Sequence, residues 1–408
     1  MPMSAVADAS AEAMAGDRLA RRNALILAVA QSLAGGNNVV LIATGAIVGS
    51  MLAPDKSLAT VPVSIYVLGM WMGTLPRGWI ARHYGRRASF FVGTAFGVLT
   101  GLFACAAVLT ASFVLFCVAA IFSGFYAAVH QSYRFAAADT ATDAFRPKAI
   151  SWVMVGGIFA GLLGSQLVIV TKDLWPPYLF AGSFLAQAAV ALVSAGVLML
   201  VKIPMPPPHI AANPGRPLAE IARQPRFIAA VACGVASYAM MNMVMTSAPL
   251  AMIDCNHSVG DATLGIQWHL LGMFVPSLFT GSLIVRFGVE RIVGLGLALI
   301  VLSAIISISG ISLWHFWIGL TLLGVGWNFA FVGATTMVTQ CHRPEERNKV
   351  QSFNDFLVFG SMALGSFSSG IVLAGFGWAA VNQIVFPVVL VAGVLLIWQV
   401  SRRRPRPA

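Results

Sequence analysis

The chain has 408 residues, of which 58% are hydrophobic and 10% charged, and its formal net charge is +11. A soluble protein carries roughly 25% charged residues, so this composition excludes a water-soluble fold and places the chain in a bilayer. The basic excess is no nucleic-acid footprint, because Lys and Arg stand in short clusters between apolar runs rather than on one surface.

The first 17 residues hold Asp8, Glu12 and Asp17 and no basic residue, so they lack the basic start of a signal peptide. Apolar runs long enough for a ~30 Å hydrocarbon core follow at 24–51, 58–80, 88–110, 112–136, 149–171 and 178–201. A Pro-rich basic segment, 202–226, then interrupts the series. Six more runs occupy 227–252, 262–285, 292–310, 313–339, 352–375 and 380–400. Residues 1–23 and a basic stretch, 401–408, remain as tails expected in the cytoplasm. With both ends inside, Lys56 and Lys172 fall outside and the other 23 Lys and Arg fall inside, which sets the orientation. The expected fold is an all-α membrane protein with twelve transmembrane helices in two pseudo-symmetric six-helix bundles, 24–201 and 227–400. The five cysteines form no disulfide framework: Cys105, Cys117 and Cys233 lie in spans, Cys341 faces the cytoplasm, and Cys255 alone lies outside.

The two halves echo one another. Gly78 and Gly85, after the second span, recur as Gly281 and Gly288 at an offset of 203; Arg146, Lys148 and Ser151 recur as Arg347, Lys349 and Ser352 at 201. A duplicated helical chain with basic cytoplasmic hairpins is the architecture of a secondary transporter. The chain resembles the major facilitator superfamily, whose second loop carries Gly-x-x-x-Asp-Arg-x-Gly-Arg-Arg/Lys. Gly78, Gly85, Arg86 and Arg87 follow that pattern, whereas Arg82 stands at the Asp position and His83 at the Arg position. The resemblance covers the whole chain and implies a gating loop in which the usual acidic latch is missing.

Polar residues inside the spans are few. Asn37, Asn38 and Asn242 either line a cavity or bond helix to helix. His130, Arg134 and Asp139 read as a gating network near the cytoplasmic side, with His130 also a candidate for coupling. Trp327, Asn328, Asn354 and Asp355 are similar, and Asp355, near the cytoplasmic surface, suits an ion pair. No acidic residue falls clearly at mid-membrane, which leaves coupling through His269 or downhill movement open.

One constellation stands apart. Met241-x3-Met245 in the seventh span and His269-x3-Met273 in the eighth each lie on one helix face. Counting from the outer ends, Met241 and Met273 are ~16 Å deep and Met245 and His269 ~10 Å deep, two matched layers on antiparallel helices. Thioethers and imidazole suit copper(I). Against that, methionine is a common filler of apolar helices. The pair of motifs is similar to the CcoA-type group of bacterial copper importers, which supply copper for assembly of cbb3-type cytochrome oxidase. That resemblance implies a bacterial inner-membrane carrier that imports copper, as copper(I), by alternating access. It implies Met241, Met245, His269 and Met273 as ligands of the transported ion and Cys233 and Cys255 as accessory thiols. Copper ion is then substrate rather than cofactor, and periplasmic or cytoplasmic copper carriers are its expected partners. The same wider group holds riboflavin-transporting relatives, so a carrier of riboflavin or a drug is the rival reading, and a non-transporting metal sensor a further one. No enzyme motif is present.

Overall fold

The computed structural model describes residues 3–55, 58, 61–139, 141–203 and 215–402, without the side chains of 3–16, 46, 259, 260 and 263. The side chains of Asp8 and Glu12, Lys56, residues 204–214 of the Pro-rich segment and the tail from 403 lie outside the described residues. Among the described residues every long regular element is a helix. The chain divides into two compact units, Met1–Ala212 and Asn213–Ala408, with the boundary inside the expected 202–226 segment.

The first unit comprises α1 (Met3–Leu52), α2 (Val61–His83), α3 (Gly85–Leu109), α4 (Phe113–His130), α5 (Tyr133–Ala138), α6 (Arg146–Thr171) and α7 (Ala181–Met199). Helix α1 starts well before residue 24, so the expected tail is helical. The expected fourth span is broken between α4 and α5. The second unit comprises α8 (Leu218–Ala222), α9 (Pro225–Asp254), α10 (Val259–Phe274), α11 (Ser277–Phe287), α12 (Val289–Ser309), α13 (Leu313–Thr339), α14 (Arg347–Gln383) and α15 (Val385–Ser401).

Nine helical stretches among the described residues are long and apolar enough to cross a membrane, and α10 with α11, bent by 41°, forms a tenth. The stretch Arg347–Ser401 holds two spans, because Gly377 leaves helical geometry at φ 79°. Helix α2, of similar length but carrying Arg77, Arg82 and His83, completes the twelve.

The 41° bend has a local cause. Pro276 has no N–H to continue the ladder, and its ring crowds the preceding turn. The hairpin glycines of the repeat, Gly85 and Gly288, both take positive φ, 84° and 90°. A side chain there is strained, so the two positions at offset 203 need glycine for one reason.

Packing repeats as well. In the first unit α1 lies on α6 and α7, α2 on α4, and α3 on α4 and α7. In the second, α9 lies on α14 and α15, α10 on α13, and α12 on α13 and α15, which is the same scheme in the same span order.

Candidate functional site in the second unit

Helix α10 shows Gln267, Trp268, Leu270 and Leu271 outward and turns His269, Gly272 and Met273 inward. The inward face meets α13 at backbone distance. A Cβ on Gly324 would stand 2.4 Å from the His269 carbonyl, and one on Gly272 would stand 2.5 Å from the Thr321 carbonyl. Small residues at such crossings let two helices close in the absence of a hydrophobic drive between them. That approach lets the His269 Nδ1–H donate to the Leu320 carbonyl at 2.8 Å, with the ring fully buried. His269 Nε2 has no hydrogen-bond partner among the described residues.

One turn further along, Asn328 repairs the proline break. Its amide donates to the Met273 carbonyl and to Ser277 Oγ, both at 2.6 Å, and its Oδ1 accepts from Thr280 Oγ1 at 2.6 Å. Four ring pairs on three helices follow. Tyr238 meets Trp327, Phe331 and Phe359 edge-on at 5.4, 5.0 and 5.5 Å, and Trp327 stacks on Phe331 at 5.1 Å. Phe274 closes on Trp327 at 6.1 Å. The Trp327 Nε1–H, like His269 Nε2, has no partner among the described residues. The sequence singles out Trp327 alone of this aromatic cluster, because its members lie on α9, α10, α13 and α14 and share no local spacing.

The methionines behave differently from one another. Met241 and Met273 are buried, whereas Met245 is half-buried on the accessible stripe of α9 beside Asn242. Asn242 itself donates to the Met362 carbonyl at 3.4 Å. Cys233 Sγ faces the Ala392 carbonyl at 3.8 Å, and Cys255 is half-buried at the end of α9. All five cysteines are free. Among the described residues no group of three or more His, Cys, Asp or Glu is placed to hold a metal ion.

In the first unit the in-span polar residues join helix to helix. Asn37 and Gln187 exchange bonds in both directions, at 2.8 to 2.9 Å, between α1 and α7. Both nitrogens of His130 are engaged. Asn38 Nδ2 donates to Nε2 at 2.6 Å, Gln31 Oε1 accepts from Nδ1 at 3.3 Å, and Ser123 Oγ donates to Asn38 Oδ1. A histidine with both nitrogens satisfied inside a buried network braces α4 against α1.

At the helix ends expected in the cytoplasm, Arg86 of the loop motif grips both oxygens of Asp139, the pair almost fully buried. Arg134 donates to the Gln131 carbonyl and side chain and covers the Phe135 ring at 4.6 Å. Gly78 is buried on α2, and Arg87 reaches the Met199 carbonyl at 3.3 Å. In the second unit Arg226 bridges Glu290 at 2.8 Å to Gln340, and Arg216 clasps Glu346 through its backbone N–H and its guanidinium at 2.7 to 2.8 Å. The Arg216 hydrogen bonds hold the Glu346 carboxyl down at about 2, and burial pushes the Cys341 thiol up to about 12. Asp355 is fully buried within the unit and accepts from Asn354 at 3.1 Å.

The Major Facilitator Superfamily profile matches residues 24–266 and 230–408. The chain is 49% identical over 391 residues to the riboflavin transporter RfnT of Brucella anthropi, covering 95% of this chain and 98% of that one. It is 28% identical to the uncharacterized MFS-type transporter YdeG of Bacillus subtilis over 94% of this chain and 93% of that one. Among solved structures it superposes on the transporter FucP in the outward conformation with a TM-score of 0.75 at 14% identity, covering 94% of this chain and 99% of that one. The match to a riboflavin transporter overturns the expectation of copper as cargo. The physical reason for the error is that two four-residue spacings on antiparallel helices match in depth whether or not their side chains share a ligand. Methionine fills apolar interiors, so its helical spacing alone marks no ligand. Composition, a repeated six-helix packing scheme, the loop motif and a profile match across both halves agree, and the chain belongs to the Major Facilitator Superfamily of transporters.

Proposed function

We propose that this protein is a secondary carrier of riboflavin in a bacterial inner membrane, with both termini in the cytoplasm. The observation that carries the reading is the 49% identity to a riboflavin transporter, sustained over 95% of the chain and so over both six-helix units. The aromatic cluster of the second unit supports it, because broad ring faces with a few convergent polar atoms suit a planar heteroaromatic cargo. The distribution of Lys and Arg supports the orientation. Transport proceeds by alternating access of a midplane site, the mechanism this architecture serves.

The test is uptake of labelled riboflavin by a bacterial strain that neither makes nor imports it, with the chain or an empty vector expressed. The expected result is saturable accumulation that restores growth on low riboflavin. Protein present in the membrane without uptake above the vector sinks the proposal.

A further inference from the structure

Helices α3 and α7 of the first unit close on each other, whereas their counterparts in the second unit, α12 and α15, stand apart along a groove. In the first unit a Cβ on Gly101 would stand 2.4 Å from the Phe184 carbonyl and 2.6 Å from the Ala188 nitrogen. One on Gly97 would stand 3.1 Å from the Ala191 methyl. At the ends of the same two helices Arg87 donates to the Met199 carbonyl at 3.3 Å. The offset of 203 puts Ile300 and Ala304 where α3 has Gly97 and Gly101, so the bare backbone that admits α7 is missing from α12.

The groove between α12 and α15 has a volume of about 680 Å³, within the size range of small-molecule clefts. Gly294, Leu297 and Ala298 line one side and Leu390, Gly393 and Ile397 the other, and no lining side chain is polar. Leu390 and Ile397 are 67% and 70% exposed, and a Cβ on Gly294 or Gly393 would meet nothing within 4 Å. Both helices belong to stretches long and apolar enough to cross a membrane, so an open groove along them faces hydrocarbon.

One charge stands at its mouth. Arg291 lies three residues before Gly294 and seven before Ala298, on the same stripe of α12 and ~4.5 Å from the groove along the axis. It is exposed, in the first turn of its helix, where the macrodipole disfavours a cation. Its neighbour Glu290 is engaged by Arg226 at 2.8 Å, and Arg291 has no hydrogen-bond or ion-pair partner among the described residues. As the ninth and twelfth spans, α12 and α15 run in opposite directions, so α15 finishes at this same end. There Arg402 covers the Trp398 ring at 4.7 Å, an aromatic and a basic residue together as at a membrane interface.

We infer that this groove is a binding site for one anionic phospholipid. An acyl chain fills the space that helix contact closes in the first unit, and the headgroup phosphate pairs with the Arg291 guanidinium. A phosphate matches a guanidinium in both charge and bidentate geometry. The apolar helix of a second copy would cover the groove and leave Arg291 unpaired at the edge of the hydrocarbon, which is why the lipid is the better occupant.

The experiment is native mass spectrometry of the purified full-length protein, titrated in detergent with phosphatidylglycerol or with phosphatidylethanolamine of the same chains. The wild-type protein is expected to bind phosphatidylglycerol about 5-fold more tightly, the factor that ~1 kcal/mol for one arginine at a membrane surface represents. Arg291→Gln is expected to erase that preference, and Arg343→Gln, at an exposed arginine between α13 and α14, to keep it. Gly393→Leu puts bulk into open space, so the fold tolerates it, and is expected to abolish the saturable lipid adduct. Equal binding of the two lipids by the wild-type protein overturns the inference, a readout that needs no variant. So does a preference that Arg343→Gln lowers as much as Arg291→Gln, or an adduct that survives Gly393→Leu. A lipid-free wild-type dimer that Gly393→Leu splits would assign the groove to a second copy and overturn it as well. None of these readouts depends on the cargo.

Discussion

Glu346 has no exposed side-chain surface, and it accepts from Arg216 and from the Arg343 amide at 2.9 Å. Its carboxyl sits at about 2 against an ordinary 4.5, chiefly through the Arg216 side-chain hydrogen bond. The folded value is depressed, so the stabilisation is complete above about pH 4.5 and is lost as pH falls toward 2. Allowing for the partly exposed guanidinium, Glu346→Gln is expected to cost about 2 kcal/mol at pH 7 and much less at pH 3, read by thermal unfolding in detergent at both values. An equal cost at the two pH values would reject the charged clasp. Asn328→Ala strips the amide from Met273, Ser277 and Thr280 and is expected to cost about 2–3 kcal/mol in the same assay. A cost below about 0.5 kcal/mol would show that the proline break is held some other way. None of these partners was legible in the sequence. Asn328 stood out only as a polar residue in an apolar run, since its three partners lie 48 to 55 residues away on α10 and α11.

Two elements departed from the expected spans for reasons of backbone chemistry. Pro276 was visible in the sequence, yet an apolar run across it read as one straight helix, and the resulting bend became evident only between α10 and α11. The break at Gln131 and Ser132 carries no proline or glycine to announce it. The repeated hairpin glycines were legible, and their positive φ gives the repeat a physical content. Gly288 has open space where a Cβ would go, so Gly288→Ala is expected to cost about 1 kcal/mol through conformation alone. Gly324→Ala is expected to do more harm, because its Cβ would meet the backbone of His269 and Met273 and part α10 from α13. The comparison of melting temperatures in one detergent checks both. A Gly324 variant as stable as the Gly288 variant would mean that the crossing yields easily.

At the scale of the whole molecule, the proposed topology places Cys255 on the outer face and Cys341 on the inner. In a Cys117→Ser background, which removes the other half-buried thiol, a membrane-impermeant maleimide added to intact cells is expected to label the protein and not its Cys255→Ser variant, since Cys105, Cys233 and Cys341 are buried. Absence of Cys255 labelling in intact cells, with labelling once the cells are permeabilised, would reverse the orientation. Twelve spans, the duplication and the family loop were all determined by the sequence itself, because hydrophobic run length, charge sidedness and glycine position are local or additive properties of the chain. The cargo was not. Its reading turned on four residues whose spacing was real but whose partners were unknown, and spacing along a helix is blind to what the next helix presents. Only the tertiary structure decided that one histidine nitrogen belongs to Leu320, that Asn328 mends α10, and that five rings from four helices gather together. Those contacts join residues far apart in the chain, and they exist only once α13 can approach α10 closely, over the bare backbone of Gly324.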